Sequence, residues 1–185
     1  LLQGSIMRYP RLFPNAPGLT FAGKVHEQIS DSLKENKYQI IHSDIEIIHH
    51  GYVLDDEVLK QKKERNLALL LSSENNKNNI YDKQKLIHTL ISLGKYEDAE
   101  LRLNKLIKKK SITGEQLGLT FFYMASVKYE KNDLSSALSY GLKAHRLLKD
   151  KPELNYLIYL VCLRLNKIEE AKNFILISIN TNKRI

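Results

Sequence analysis

The chain has 185 residues, of which 43% are hydrophobic and 27% charged, and its formal net charge is +8. These values are ordinary for a soluble globular protein. No apolar run approaches the roughly 20 residues of a membrane-spanning helix. The first residues lack the order of regions that is typical of a signal peptide. We expect the chain to begin inside a domain. One cysteine, Cys162, excludes an intrachain disulfide framework. Its apolar surroundings predict a buried thiol.

The basic excess is uneven. Residues 1–50 carry five basic and five acidic side chains, residues 51–110 thirteen and nine, and residues 111–185 eleven and seven. The densest stretch, KLIKKK (105–110), is open to two interpretations. It could bind nucleic acid or an anionic membrane, or its lysines could end a helix beside the negative pole of the helix dipole. No nucleic-acid motif accompanies it, which favours the second.

The N-terminal part predicts a mixed α/β segment. Three of the four prolines lie before residue 20, and proline is disfavoured in the interior of a helix. TFAGKV (20–25) and YQIIHSDIEIIHH (38–50) are rich in β-branched and aromatic residues, as strands are. HEQISDSLKEN (26–36) has helical spacing, and Asn36 is a typical stop.

The remainder predicts helices. VLKQKKERNLALLLSS (58–73) has helical spacing, and ENNKNN (74–79) is typical of a loop. We therefore divide the chain into a mixed segment over 1–54, a linking helix and loop over 55–79, and helical repeats over 80–185.

One eight-residue pattern occurs three times after the loop. The copies are LGKYEDAE (93–100), KNDLSSAL (131–138) and LNKIEEAK (165–172). Each has a turn residue, an apolar residue two positions later and an alanine five positions later. These are, by copy, Gly94, Tyr96 and Ala99; Asn132, Leu134 and Ala137; Asn166, Ile168 and Ala171. Because the alanines are 38 and 34 residues apart, the period predicts stacked helix pairs.

The three residue types have mechanical reasons. Gly and Asn tolerate the left-handed backbone of a tight turn. The apolar residue fills the angle between the paired helices, and the alanine lets them approach closely. The pattern resembles the tetratricopeptide repeat (TPR) over about residues 80–179. The second copy agrees best, through Phe121, Ala125, Ala137 and Ala144. The resemblance implies a right-handed stack of about three TPR-like helix pairs, in a mostly α fold that follows the short α/β segment.

The repeat resemblance also implies an inner groove formed by the first helix of each pair. Six side chains would face it: Tyr81, Gln84, His88, Phe122, Tyr129 and Tyr156. An aromatic, weakly polar groove suits a peptide or a neighbouring subunit. The alternative is that these rings only stack between repeats, and the sequence leaves both open.

Several catalytic patterns are excluded. HEQIS has Ser30 where a zinc protease has its second histidine. No GxGxxG, Walker or GxSxG motif occurs. His49 and His50 would point to opposite faces of a strand, so a shared metal is disfavoured.

Four segments in a fixed order carry a second resemblance. They are RLFPN (11–15), FAGKVHEQI (21–29), HHGY (49–52) and KKERNLALL (62–70). The order resembles the C-terminal half of a bacterial family 2 glycosyltransferase, whose GT-A catalytic domain precedes TPR repeats. It covers about residues 8–73, and the repeats extend it to nearly the whole chain.

The glycosyltransferase resemblance implies the tail of a domain that binds a nucleotide-diphospho-sugar. The Asp-x-Asp motif that holds Mg or Mn in such enzymes does not occur here, so we expect no cofactor on this chain and no sugar transfer by it alone. The full-length enzyme would use a saccharide, lipid or protein acceptor, with the repeats binding the acceptor or a partner. No nucleic acid is expected. A cytoplasmic location, with peripheral association at the inner face of the membrane, fits this reading.

The same resemblance assigns site roles. His26 would complete the metal coordination or contact the diphosphate, and Glu27 would be the general base. Arg11 would pair with phosphate oxygens, joined by Asn15 and Tyr52 as substrate-binding candidates. The alternative for His26 and Glu27 is a helix cap. The alternative for the whole chain is a non-catalytic TPR module that binds proteins.

Overall fold

The protein forms eight α-helices within the residues that its structure, a computed structural model, describes. Those residues are 10–21, 25, 28–43, 45, 56–72, 80–112, 114–148 and 151–182. The helices are α1 (Ser30–Glu35), α2 (Asp56–Ser72), α3 (Ile80–Ser92), α4 (Tyr96–Ile107), α5 (Gly114–Glu130), α6 (Leu134–Leu147), α7 (Pro152–Arg164) and α8 (Ile168–Asn182). The chain divides into two compact units, residues 1–73 and 74–185.

In the first unit, the loop before α1 is tied to the helix by hydrogen bonds. The Ser32 hydroxyl accepts a bond from the Thr20 N–H (3.0 Å) and donates one to the Gly18 carbonyl (3.3 Å). Asn36 Nδ2 also donates to the Gly18 carbonyl (3.3 Å). Gly18 has a φ of 90°, which suits a glycine. The buried apolar residues beside this loop are Val25, Ile29 and Leu33.

The predicted end of α1 is confirmed. Asn36 is the C-cap, and Lys37 follows with a φ of 62°. Two backbone hydrogen bonds to the last turn complete a Schellman motif. The start differs from the prediction, because α1 begins at Ser30 with Ile29 as its N-cap. An apolar N-cap cannot bond the first N–H groups, so α1 starts without side-chain capping.

The two expected strands are not found among the described residues of 20–25 and 38–50. A strand needs a neighbour that exchanges backbone hydrogen bonds with it. Four large apolar side chains of the second segment are instead exposed: Tyr38 (39%), Ile40 (37%), Ile41 (79%) and Ile45 (67%). The α/β tail therefore stays a prediction, and the other residues of both segments lie outside the described ranges.

The helix predicted over residues 58–73 is observed as α2. Leu67 and Leu70 are buried, at 7% and 3% exposure. The neighbouring Leu69 and Leu71 are 40% and 43% exposed. One face of α2 is therefore buried and the other exposed, as helical spacing requires.

The second unit consists of three antiparallel helix hairpins. Hairpin 1 is α3–α4, hairpin 2 is α5–α6 and hairpin 3 is α7–α8. Each hairpin packs on the next: α4 contacts α5, α6 contacts α7, and the first helices contact one another as α3–α5 and α5–α7. The mostly helical class is thus confirmed, and each hairpin buries its neighbour's exposed side, as repeat proteins do.

The three predicted turn residues have the predicted conformation. Gly94, Asn132 and Asn166 have φ values of 70°, 62° and 57°. In each turn the N–H of the following residue bonds a carbonyl five residues earlier, as in a Schellman motif. The bonds are Lys95 to Leu90 (2.9 Å), Asp133 to Lys128 (2.8 Å) and Lys167 to Cys162 (2.9 Å). The left-handed residue therefore ends the first helix of every hairpin.

The three alanines are buried, as predicted, at 0% to 1% exposure. The apolar residues of the pattern behave differently from their predicted role within a pair. The Tyr96 hydroxyl reaches Glu130 of hairpin 2, at 3.4 Å, so this side chain lies between hairpins. Ile168 is 44% exposed, because no described helix follows α8 to cover it.

A hydrophobic core lies between hairpins 2 and 3. It is formed by Ala144, Leu154, Ile158, Cys162 and Ala171. Cys162 is 1% exposed, which confirms the buried thiol, and burial raises its pKa. A Cβ added to Gly141 would lie 3.0 Å from Ile158 Cγ1, so α6 and α7 approach closely only because this residue is glycine.

Polar contacts also join the hairpins beside their turns. Glu100 of α4 receives Lys128 Nζ at 2.7 Å and Lys131 Nζ at 2.8 Å, both from hairpin 2. The hydrogen bond from Lys128, followed by that from Lys131, lowers the pKa of the Glu100 carboxyl. One hairpin later, Arg164 Nη2 donates to Asn132 Oδ1 at 2.6 Å and its guanidinium lies 4.9 Å from the Tyr129 ring.

The turn conformation predicts the effect of substitutions at Asn166. Asn166→Ala should lower the free energy of unfolding by about 1 kcal/mol, because alanine lacks the short polar side chain that lets asparagine tolerate a positive φ. Asn166→Gly should leave the free energy unchanged or raise it. Urea denaturation followed by circular dichroism measures both. Equal losses for the two variants would contradict a backbone role and point to the asparagine side chain.

Glu100 predicts an acid-sensitive contact. Its folded pKa is lowered from the ordinary 4.5, so its contribution to stability is present above that value and is lost as the pH falls through the folded pKa. Glu100→Gln should lower the urea midpoint at neutral pH, and the difference from the parent should vanish in acid.

Glu97→Gln is the matched control for Glu100→Gln. Its carboxylate is 81% exposed and 3.7 Å from Lys131, so its effect should be smaller. A difference between Glu100→Gln and the parent that persists below the folded pKa would contradict the ionic origin.

Candidate functional site

The N-terminal site candidates are only partly described. His26, Glu27 and Tyr52 lie outside the described residues. Arg11 and Asn15 are exposed in the loop that leads to α1. The N-cap of α1 is Ile29, so the cap position itself is not occupied by His26 or Glu27. The catalytic assignment of these residues stays a prediction.

The six predicted groove residues lie on α3, α5 and α7, but their environments differ. Tyr81 and Tyr156 are 45% and 48% exposed, and His88 is also exposed. Phe122 and Tyr129 are half-buried, whereas Gln84 is 4% exposed. The exposed tyrosine rings among the six predicted groove residues therefore lie on α3 and α7.

Gln84 is a packing residue between α3 and α5. Its Nε2 donates to the Gln116 carbonyl at 2.6 Å and to Thr120 Oγ1 at 3.0 Å. The Thr120 hydroxyl in turn donates to the Gln116 carbonyl at 2.8 Å. Thr120 is fully buried, and a buried amide and hydroxyl need such partners. The amide group is thus occupied by hairpin 2 rather than available to a groove ligand.

An aromatic cluster forms where α3 meets α5, and we define it as Tyr81, Lys85, His88, Phe122 and Tyr123. The Tyr123 ring lies 5.7 Å from that of His88 and 5.8 Å from that of Phe122. Burial, with a smaller effect of Tyr81, raises the pKa of Tyr123 to about 12. Lys85 Nζ lies 4.2 Å from the centre of the Tyr81 ring. The cluster thus combines an exposed phenol, a cation and a partly exposed ring stack.

Two members of the aromatic cluster were missed by the sequence. Lys85 had a detectable signal, because it lies four residues after Tyr81 on the same helix, a spacing at which side chains meet. Tyr123 had no such signal. It lies 35 residues after His88, and the contact between the two rings depends on how the hairpins pack. The cluster therefore becomes visible only in the folded unit.

Aromatic residues of the last two hairpins form separate pairs. The rings of Tyr156 and Tyr159 are 5.7 Å apart on α7, and Tyr129 of α5 stacks with Arg164. Phe122 also packs against the core between hairpins 2 and 3. Both interpretations of the face therefore have support, since some rings pack between hairpins and others remain exposed.

Chemically, the exposed part of this face is suited to binding. Tyrosine rings offer apolar area with a hydroxyl at one end, which is typical of recognition surfaces. Lys85 can pair with a carboxylate while its stem covers the Tyr81 ring. The exposed part of the face thus offers a cation beside aromatic area.

Comparison with known proteins gives no match: neither the family models nor the curated proteins resemble this chain. Within the described part of the chain, every helix is too short or too polar to cross a bilayer. The described His, Cys, Asp and Glu residues also form no group of three that could hold a metal.

Gln84 and Tyr156 should respond differently to substitution. Gln84→Met keeps the side-chain size but removes two hydrogen bonds, so the free energy of unfolding should fall by about 1 kcal/mol. Tyr156→Ala removes a half-exposed ring and should cost less. Thermal or urea unfolding measures both. If Gln84→Met leaves the free energy of unfolding unchanged, the amide does not hold α3 to α5. The predicted groove role of Gln84 would then be favoured.

Proposed function

We propose that this chain is the C-terminal portion of a family 2 glycosyltransferase, in which residues 1–54 complete a GT-A domain and residues 80–185 form TPR-like repeats. The observation that carries the proposal is the order of RLFPN, GKVHE, HHGY and KKERN ahead of the repeats. Each segment alone is common, whereas the four in this order are specific. The enzyme would transfer a sugar from a nucleotide-diphospho-sugar to a saccharide, lipid or protein.

The exposed apolar side chains among residues 38–43 and 45 support an incomplete sheet. Ile41 and Ile45 are 79% and 67% exposed. β-Branched side chains in such a run are typical of strands covered on at least one face. In the proposed enzyme, strands of the preceding part of the GT-A domain would pair with this run and cover it.

The proposed chemistry is a displacement at the sugar's anomeric carbon. The acceptor hydroxyl oxygen forms a bond to that carbon while the bond from carbon to the diphosphate oxygen breaks. The nucleoside diphosphate leaves with the electron pair. Glu27 takes the acceptor proton as general base, while His26 and Arg11 contact the diphosphate. The Mg or Mn expected for such a donor would need ligands beyond the described residues, whose His, Cys, Asp and Glu form no suitable group.

The repeats would bind the protein acceptor or a partner through the face of α3, α5 and α7. The exposed rings of Tyr81 and Tyr156, with Lys85 over one of them, support this part of the proposal. We place the enzyme in the cytoplasm, where a free thiol such as Cys162 is usual. The exposed rings of Tyr81 and Tyr156 also favour the second candidate. This is a non-catalytic TPR module in which the first 50 residues only cap the repeats.

Substitutions in the product of the complete reading frame test the site. His26→Ala and Glu27→Ala should each lower kcat for sugar transfer by roughly 100-fold or more, as loss of a general acid–base group does. The acceptor KM should change little. Initial rates with a nucleotide-sugar donor measure both constants, and thermal unfolding checks the fold.

Glu35→Ala is the matched control for the site variants, because Glu35 is an exposed carboxylate at the end of α1. Its turnover should stay at the parent value. Near-normal turnover of both His26→Ala and Glu27→Ala would exclude them from the site. A reading frame without an Asp-x-Asp domain would contradict the glycosyltransferase proposal and leave the interaction module.

A further inference from the structure

Helix ends in the second unit alternate between two edges, because every connection reverses the chain. The turn edge holds the turns 93–95, 131–133 and 165–167. The link edge holds the links between hairpins and the start of α3. To each edge we assign the last five residues of the helices that end there and the first four of those that begin there. The helix dipoles largely cancel at both edges, since N- and C-termini alternate there.

Charge is segregated between these edges. Among the described residues, the link edge carries eight basic and three acidic side chains, a net charge of +5. The turn edge carries five basic and six acidic side chains, a net charge of −1. The basic residues of the link edge are Lys83, Lys105, Lys108, Lys109, Lys110, Lys143, Arg146 and Lys151, and the acidic ones are Asp82, Glu115 and Glu153.

The two edges also differ in how their charges are used. The ion pairs of Lys128, Lys131 and Lys167 lie at the turn edge. At the link edge, Lys105, the three lysines 108–110 and Arg146 form no ion pair with another described residue. The link edge therefore has cationic side chains that the fold does not neutralise.

Large apolar side chains are also exposed at the link edge. Leu147, at the end of α6 beside Arg146, is 41% exposed. Tyr81, in the first turn of α3, is 45% exposed. A leucine and an amphipathic tyrosine at a lysine-rich surface are the side chains that enter the interfacial layer of a bilayer.

We propose that the link edge docks the repeats onto an anionic lipid surface. Clustered lysines gain attraction from each added charge near such a surface. Seven of the eight cations are lysines, whose point charges suit a fluid layer of headgroups, whereas nucleic-acid recognition favours the rigid fork of arginine. The proposal stands on this edge alone and does not rest on the glycosyltransferase assignment.

Vesicle co-sedimentation of the chain tests the proposal. Binding should occur to phosphatidylcholine vesicles that contain phosphatidylglycerol, not to phosphatidylcholine alone, and should weaken as salt is added. The combined variant Lys105→Glu, Lys108→Glu and Lys110→Glu should lose roughly tenfold or more in vesicle affinity. Leu147→Ser should lower the vesicle affinity more at high salt than at low salt, because salt screens the electrostatic attraction to the lipid surface.

The matched control reverses three lysines near the turn edge: Lys95→Glu, Lys167→Glu and Lys172→Glu. It has the same net charge as the link-edge variant and should keep most of the affinity. Equal loss in both variants would show that net charge alone drives binding and would overturn the proposal, as would tighter binding to a DNA or RNA oligonucleotide at the same salt. If circular dichroism shows that a triple glutamate variant is unfolded, the lysines of both sets are replaced by glutamine instead. The vesicle affinities of the two glutamine variants are then compared.

Discussion

The second unit depends on one backbone conformation, the left-handed residue that ends the first helix of each hairpin. The first helix of each hairpin ends at Gly94, Asn132 or Asn166. The backbone hydrogen bonds of a Schellman motif at that point accompany the reversal of the chain direction. The reversal is tight, so the second helix starts beside the first. Only a small side chain fits five positions later, which is why Ala99, Ala137 and Ala171 are buried.

This tight turn also determines where the hairpins are joined. Asn132 contributes its backbone to the turn of hairpin 2 and its side chain to Arg164 of hairpin 3. Glu100 similarly joins the start of α4 to Lys128 and Lys131. Charges at the turn edge are thus neutralised by stacking contacts. At the opposite edge, five described cations form no ion pair with another described residue: Lys105, Lys108, Lys109, Lys110 and Arg146. The proposed binding to an anionic surface rests on these side chains.

The sequence predicted the features that depend on local chemistry. The positive φ of Gly94 and the stop at Asn36 follow from residue type, and the helical repeat follows from spacing. Features that depend on distant partners could not be predicted. Gln84 has a groove position in the repeat frame, yet its amide bonds Gln116 and Thr120, 32 and 36 residues away. The run over 38–50 has strand composition, but its described residues form no strand, since strands form only where another strand pairs with them.

Hairpin 3 contains two kinds of unfavourable feature, a buried amide without a hydrogen-bond partner and exposed apolar side chains. Asn155 of α7 is fully buried, and neither atom of its amide has a hydrogen-bond partner in the described structure. Such a group costs about 1–3 kcal/mol. On α8, Ile168 and Leu176 are 44% and 57% exposed, so their apolar area contributes little. In a linear stack each repeat is stabilised by its neighbours. Hairpin 3 has one neighbour among the described helices, and its stability therefore depends on the core that it shares with hairpin 2.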